Sequence, residues 1–272
     1  DADVPLLDEA YLGLGPRLDS RRKARDPEVR TFGHIVVDET QDHTPMALRM
    51  ISRRSLNGSM TVVGDIAQAT APGSAADWDE VLNYLPARVS EPRVRELTLS
   101  YRIPAPNLEL ANKVLAVAAP ELAPPKAVRS VGSPPRVVEV LGQPIAPVQA
   151  LVERAVSMVL EESEALGGGS VAVSAPGSLI EVVDEALRAR GVDYGRARTA
   201  SRNISGPLHP KIALVPVQLV KGLELDGTVV IEPATILDEE PQGLRALFVA
   251  LTRSTKRLAI VHARPLPQVL VD

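Results

Sequence analysis

Cysteine is absent from this 272-residue chain. That absence excludes disulfides, thiolate metal sites and a thiol nucleophile. Histidine is scarce as well: His34, His43, His209 and His262 are scattered, and none pairs with another at zinc-site spacing. Aromatic residues make up only 3% of the chain, so the core must be built from Val, Leu, Ala and Ile. Charge of neither sign dominates. A net charge of -4 does not indicate a dominant basic nucleic-acid surface, although it leaves a local groove open. No apolar run reaches the length of a membrane span and no signal-peptide pattern is visible. A soluble, cytoplasmic protein without a membrane partner is therefore expected. Two further absences matter. There is no starting Met, so the chain reads as part of something larger. There is also no Gly-rich loop ending in Gly-Lys-Ser/Thr, the usual cradle for a triphosphate.

Hydrophobic residues account for 45% of the chain, enough for a substantial core. Residues 34–38 read as a buried, parallel-type strand. Pro45 opens an apolar-periodic segment through Met46, Leu48, Met50 and Ile51, which suits a helix with Pro in its first turn. Met60–Asp65 is a second strand with an acidic tip, a short helix is expected at about 77–84, and Val94–Leu99 is a third strand candidate. Residues 19–30 form a charged stretch, and 120–135, with five Pro, reads as a linker or long loop. Further on, strands at 136–140, 170–174, 211–217, 227–231 and 257–262 alternate with helices at 107–117, 147–166, 178–190 and 243–252. That alternation predicts α/β layers around mostly parallel sheets.

The chemistry-bearing residues cluster at the ends of these elements. The strand Ile35-Val36-Val37 delivers Asp38 and Glu39 to its C-terminal tip, where both can reach a crevice. Adjacent carboxylates there suit Mg²⁺-nucleotide chemistry: Asp38 would hold the metal and Glu39 would polarise an attacking water. Gly64, Asp65 and Gln68 follow the second strand. Gly64 permits close backbone approach, and Gln68 could orient water or sense a terminal phosphate; a polar loop explains the same residues equally well. The guanidinium groups of Arg102 and Arg253 match phosphate oxygens and cannot be discharged, although a surface salt bridge would use them too. Between two strands, Lys221-Gly222-Leu223-Glu224 offers a carboxylate for a ribose and a Lys for a carboxylate, or else an ordinary tight turn.

In order, these segments are Val37-Asp38-Glu39-Thr40-Gln41-Asp42, Val63-Gly64-Asp65-Ile66-Ala67-Gln68, Leu99-Ser100-Tyr101-Arg102, Lys221-Gly222-Leu223-Glu224-Leu225 and Phe248-Val249-Ala250-Leu251-Thr252-Arg253. The set resembles the later motifs of UvrD/Rep-type superfamily 1 helicases, from about residue 34 to residue 262. The resemblance implies two RecA-like, P-loop NTPase-type domains with ATP in their cleft. Residues 1–95 would be the C-terminal part of the first motor domain (1A) and 96–272 the second (2A). It implies that Asp38 binds Mg²⁺, Glu39 is the catalytic base and Gln68 contacts the γ-phosphate. Arg102 and Arg253 would be finger-like arginines, and Glu224 would contact the ribose.

The sequence departs from that family where DNA is contacted. After Gln68, the expected aromatic residues and Arg are replaced by Ala69-Thr70-Ala71-Pro72-Gly73-Ser74-Ala75, which offers no ring for base stacking. The Thr and His expected before Lys221 are Pro216 and Gln218. Nucleotide-contact residues are kept while DNA-contact residues are thinned. This pattern is similar to the bacterial RNA polymerase-associated, helicase-like (HelD-type) ATPases, and high Ala, Pro, Arg and Val usage fits a high-GC bacterial genome. RNA polymerase is thus the expected partner. A DNA helicase or translocase acting on single- or double-stranded DNA is the alternative, and a non-catalytic RecA-like interaction module is a third reading. Lacking the phosphate loop, the 272 residues alone are expected not to hydrolyse ATP.

Overall fold

The computed structural model describes residues 3–14, 17–18, 24–25, 30–71, 73–86, 92–140, 147–197, 204–205 and 211–271. Apart from Ala24, Arg25 and Arg30, the charged stretch 19–30 lies outside them. The chain divides into two compact units, Asp1–Arg95 and Glu96–Asp272. No helix among the described residues is long and apolar enough to cross a membrane.

The first unit contains α1 (Val4–Leu14), the short antiparallel pair β1 (Arg17–Leu18) and β2 (Ala24–Arg25), β3 (Ile35–Val37), α2 (Pro45–Ser52), β4 (Met60–Val62) and α3 (Trp78–Asn83). Strands β3 and β4 are parallel, with Ile35 opposite Met60 and Val37 opposite Val62. The Thr44 hydroxyl accepts from Ala47 N at 3.2 Å and Pro45 follows it, so α2 begins where side-chain capping and a preset φ both favour it. Asp77 caps α3 in the same way, accepting from Glu80 N at 2.8 Å. Only Val37 of β3 is buried, and Val36 is 67% exposed. The expectation of a strand buried on both faces is therefore met on one side only, because among the described residues little covers Val36.

The second unit contains β5 (Leu99–Ser100), α4 (Ala105–Ala118), β6 (Lys126–Ala127), β7 (Arg136–Glu139), α5 (Pro147–Ala165), β8 (Val171–Ala175), α6 (Ile180–Ala189), β9 (Gly195–Ala197), β10 (Ile204–Ser205), β11 (Ile212–Pro216), β12 (Leu225–Ile231), α7 (Pro233–Glu239), α8 (Gly243–Leu251), β13 (Ser254–His262) and α9 (Gln268–Val271). Its main sheet has the order β10-β9-β11-β8-β12-β13-β7, parallel throughout except for β10. One face carries α5 and α6. Leu151, Val152, Val156, Val183 and Leu187 pack there on Val173, Leu214, Val229, Ile231 and Val261. The alternate strand residues, such as Ala172, Val230 and Ile260, are equally buried but point the other way. There α8, buried from Ala246 to Leu251, packs on β12. Helices on both faces of a parallel sheet account for the near-continuous Val/Ile/Leu/Ala runs of the central strands.

Two expectations for residues 94–135 need correction. The strand candidate 94–99 is reduced to β5, and Val94 and Leu97 lie exposed. The Pro-rich stretch 120–135, expected as a linker or long loop, is a long loop within the second unit rather than a linker. It supplies β6, which pairs in parallel with β5 (Leu99 opposite Lys126, Ser100 opposite Ala127). Pro124 and Pro125 have no N–H to donate, so pairing begins only at Lys126, whose N–H donates to Thr98 O at 2.8 Å.

Candidate functional site

In the first unit, Asp38 and Glu39 leave the tip of β3 exposed to solvent. Glu39 has φ 49° and ψ 43°, a left-handed conformation that costs a non-glycine residue about 1 kcal/mol or more. The flanking bonds hold it there. Thr40, fully buried, donates from N to Val63 O at 3.0 Å and from its hydroxyl to the same oxygen at 2.9 Å. Gln41 is also fully buried. Its Nε2 donates to Glu39 Oε2 at 2.6 Å, and its Oε1 accepts from Asp65 N at 3.0 Å. One amide side chain thus ties the tip of β3 to the tip of β4.

The network continues on the β4 side. Asp65 accepts from Ala67 N at 3.0 Å and from Gln68 Nε2 at 2.6 Å. Asp38 Oδ1 accepts from Glu39 N at 2.9 Å. Asp38, Glu39 and Gln68 are therefore gathered at one edge. Gly64 is required here: a Cβ on it would lie 2.4 Å from Gln41 Oε1. No group of three or more His, Asp or Glu among the described residues is arranged to hold a metal ion. A single exposed carboxylate ligand such as Asp38 still fits Mg²⁺, which takes most of its ligands from water and phosphate.

In the second unit, the connections before β12 and β13 bring Glu224 and Arg253 to the N-terminal edge of neighbouring strands, where Leu225 N donates to Arg253 O at 3.2 Å. Arg102, in the turn after β5, joins them through an ion pair with Glu224; both side chains are largely exposed. Arg253 is half-buried, with Nε donating to Val249 O and Nη2 to Thr252 Oγ1, both at 3.0 Å. These bonds fix the base of the guanidinium to the last turn of α8. Beside it, Asn107 Nδ2 donates to Ser254 Oγ at 3.2 Å in a buried contact. Asp226 flanks the same edge, and its carboxyl is held below the usual range by Lys256 and then by Ser170 N.

The opposite, C-terminal edge of this sheet is acidic. The side chain of Gln218 donates to Glu240, and Glu239 Oε2 accepts from Ser178 N at 3.2 Å. Burial, reinforced by Glu239, pushes the Glu240 carboxyl above its ordinary value.

In the first unit Asp38, Glu39 and Gln68 thus lie along one edge, and in the second Arg102, Glu224 and Arg253 lie along another. Sequence reasoning gave no role to Gln41, Asp65, Asn107 or Arg129. Gln41 and Asp65 stand inside the motifs quoted above, so proximity in sequence was a usable signal for them. Asn107 and Arg129 carry no motif.

No family model and no curated protein matches this chain. Among solved structures, the chain is similar to the C-terminal domain of a possible DNA helicase from Lactobacillus plantarum WCFS1. Identity is 22%, the TM-score is 0.47, and the match covers 63% of this chain and 92% of the other.

Proposed function

We propose that this chain carries nucleotide-contacting elements of a helicase-like, ATP-hydrolysing motor. In the first unit, Asp38 would hold Mg²⁺, Glu39 would take the proton of the attacking water and Gln68 would sense the γ-phosphate. Water would add to the γ-phosphorus as the bond to the β-bridging oxygen breaks, leaving ADP and phosphate. Mg²⁺ would supply charge neutralisation on the phosphates. In the second unit, Arg102 and Arg253 would meet phosphate oxygens and Glu224 a ribose hydroxyl. The observation that carries this reading is the gathering of Arg102, Glu224 and Arg253, distant in sequence, at one strand edge. A phosphate loop would have to come from outside these 272 residues, so the chain by itself should bind Mg-ATP weakly and not turn it over.

The test uses the 272-residue chain with millimolar Mg-ATP, followed by NMR and phosphate release. Weak, saturable shifts at Arg102 and Arg253, lost in Arg102→Ala/Arg253→Ala and without turnover, are expected. No perturbation at either edge would refute the reading, and hydrolysis abolished by Glu39→Gln would refute the claim that a separate loop is needed.

DNA is the working track for such a motor under the helicase or translocase reading. RNA polymerase as partner is a second reading, and one observation favours it: Gln218, at a position that couples to DNA in the family resembled, is engaged by Glu240 on an acidic edge. Side-by-side capture of single-stranded DNA and purified RNA polymerase by the chain separates the two.

A further inference from the structure

The segment after β6 is a strap, and Arg129 is its fastening. Val128 N donates to Ser100 O at 2.9 Å, and Arg129 O accepts from Ala105 N at 2.9 Å, so the backbone at 128–129 follows both ends of the turn that carries Arg102. The Arg129 side chain then spans from this two-stranded sheet to the main sheet. Its Nη1 donates to Arg102 O at 2.7 Å and to Thr255 O at 2.6 Å. Thr255 lies two residues beyond Arg253, at the start of β13. Downstream, Gly132 sits so close to Pro104 that a Cβ on it would meet Pro104 Cβ at 2.5 Å. Arg257 Nη1 anchors the far end on Ser133 Oγ at 3.2 Å.

A charged donor shared by two carbonyls ties two backbone segments without touching either functional guanidinium. The Arg102 side chain is exposed, so its position relative to Arg253 depends on how such backbone ties hold its turn. We propose that Arg129 is a positioning residue that fixes the Arg102 turn in register with Arg253, so that both guanidinium groups meet one polyphosphate. This rests on the nucleotide reading above. Both bonds leave one nitrogen, so a lysine ammonium carries enough N–H donors for them, but its shorter stem restores only part of this two-carbonyl geometry.

Parent, Arg129→Met and Arg129→Lys chains would be compared by hydrogen exchange and by calorimetric binding of tripolyphosphate. In Arg129→Met, exchange at residues 101–105 should rise about tenfold while the interiors of β12 and β13 stay protected, and Arg129→Lys should fall between. Tripolyphosphate affinity should drop severalfold, and the non-additivity of Arg102→Ala with Arg253→Ala should vanish in the Arg129→Met background. Unchanged exchange at 101–105 would overturn the proposal, as would an equal rise throughout the unit, which marks a merely structural role. Retained non-additivity would overturn it too. If the parent binds no tripolyphosphate while exchange responds as described, the nucleotide reading fails and the clamp between the two segments stands.

Discussion

Gly64→Ala is the sharpest test of how the acidic tip is built. The added Cβ would sit 2.4 Å from Gln41 Oε1, 3.1 Å from Thr40 N and 3.4 Å from Gln41 N. None of these neighbours can yield cheaply. Thr40 N is bonded to Val63 O, and Gln41 is fully buried with both ends of its amide engaged. Insertion of a methyl into a packed site costs about 1–3 kcal/mol. Displacing Oε1 also strips Asp65 N of its acceptor, for about 1 kcal/mol more. The sum, roughly 2–4 kcal/mol, should lower the melting midpoint of a unit of this size by on the order of 10–20 °C. The only tryptophan, Trp78, lies in α3 of the same unit, so its fluorescence reports this transition. Gly13→Ala is the control: nothing lies within 4 Å of its Cβ in α1, and a helical Ala should stabilise by about 0.5–1 kcal/mol. A Gly64→Ala midpoint within about 2 °C of the parent would refute the close-approach argument and with it the role given to Gln41.

Three further outcomes are expected. Asp8 is held below the usual carboxylate range by its bond to Arg54, against the opposing effect of burial, and further by Arg53. Its contribution is present above the unfolded value near ~4 and is lost as pH falls through the lower folded value, so the stability gap between parent and Asp8→Asn should close in that acid range. Glu162, 1% exposed between Arg136 and Arg257, should lose about 2–4 kcal/mol on Glu162→Ala by circular-dichroism denaturation, whereas exposed Glu161→Ala should lose about 0.5 kcal/mol. Glu240, whose carboxyl is raised by burial and by Glu239, costs stability as pH rises through its folded value. Glu240→Gln should therefore raise the melting midpoint at pH 7, and that gain should disappear below about pH 4, where both states are protonated.

The parallel α/β layering was legible because it rests on local pattern: apolar runs bounded by Gly and Pro, alternating with helical periodicity. Pro45 and Gly64 were legible for the same reason, since each answers a local backbone demand. The segment at 120–135 was not. Its two-residue strand is stabilised by pairing with Leu99–Ser100, and its Arg by carbonyls of Arg102 and Thr255, partners that no local window contains. Likewise, the exposure of Val36 follows from what packs over its face of the sheet, not from the residues of β3 themselves. Candidate site residues could be named from motif order, but what their supports do could not. Gln41 matters through burial of its amide, and Asn107 through contact with Ser254, neither of which residue type reveals.

The two sets of residues are supported by different physics, and the difference bears on what each can do. Glu39 is oriented by Gln41, whose amide is neutral. Such a donor fixes the carboxylate without cancelling its charge, and the backbone strain at Glu39 is balanced by the bonds of Thr40. A lysine at position 41 would orient the same oxygen but would neutralise it, weakening it as a proton acceptor. Arg102 is the reverse case, because its present partner, Glu224, is an acidic side chain rather than a neutral amide. Both members of that pair are exposed, however, so the pair contributes only about 0–1 kcal/mol. A polyphosphate offers the same guanidinium two parallel charge-assisted bonds in place of one solvated pair. Opening the pair is thus a small cost against the bonds gained, and it frees the Glu224 carboxylate to accept from a hydroxyl. An arginine whose only anionic partner were a buried carboxylate could not make that exchange, because leaving such a carboxylate unpaired would cost several kcal/mol. Exposure of the Arg102–Glu224 pair is therefore what makes this edge compatible with an anionic ligand.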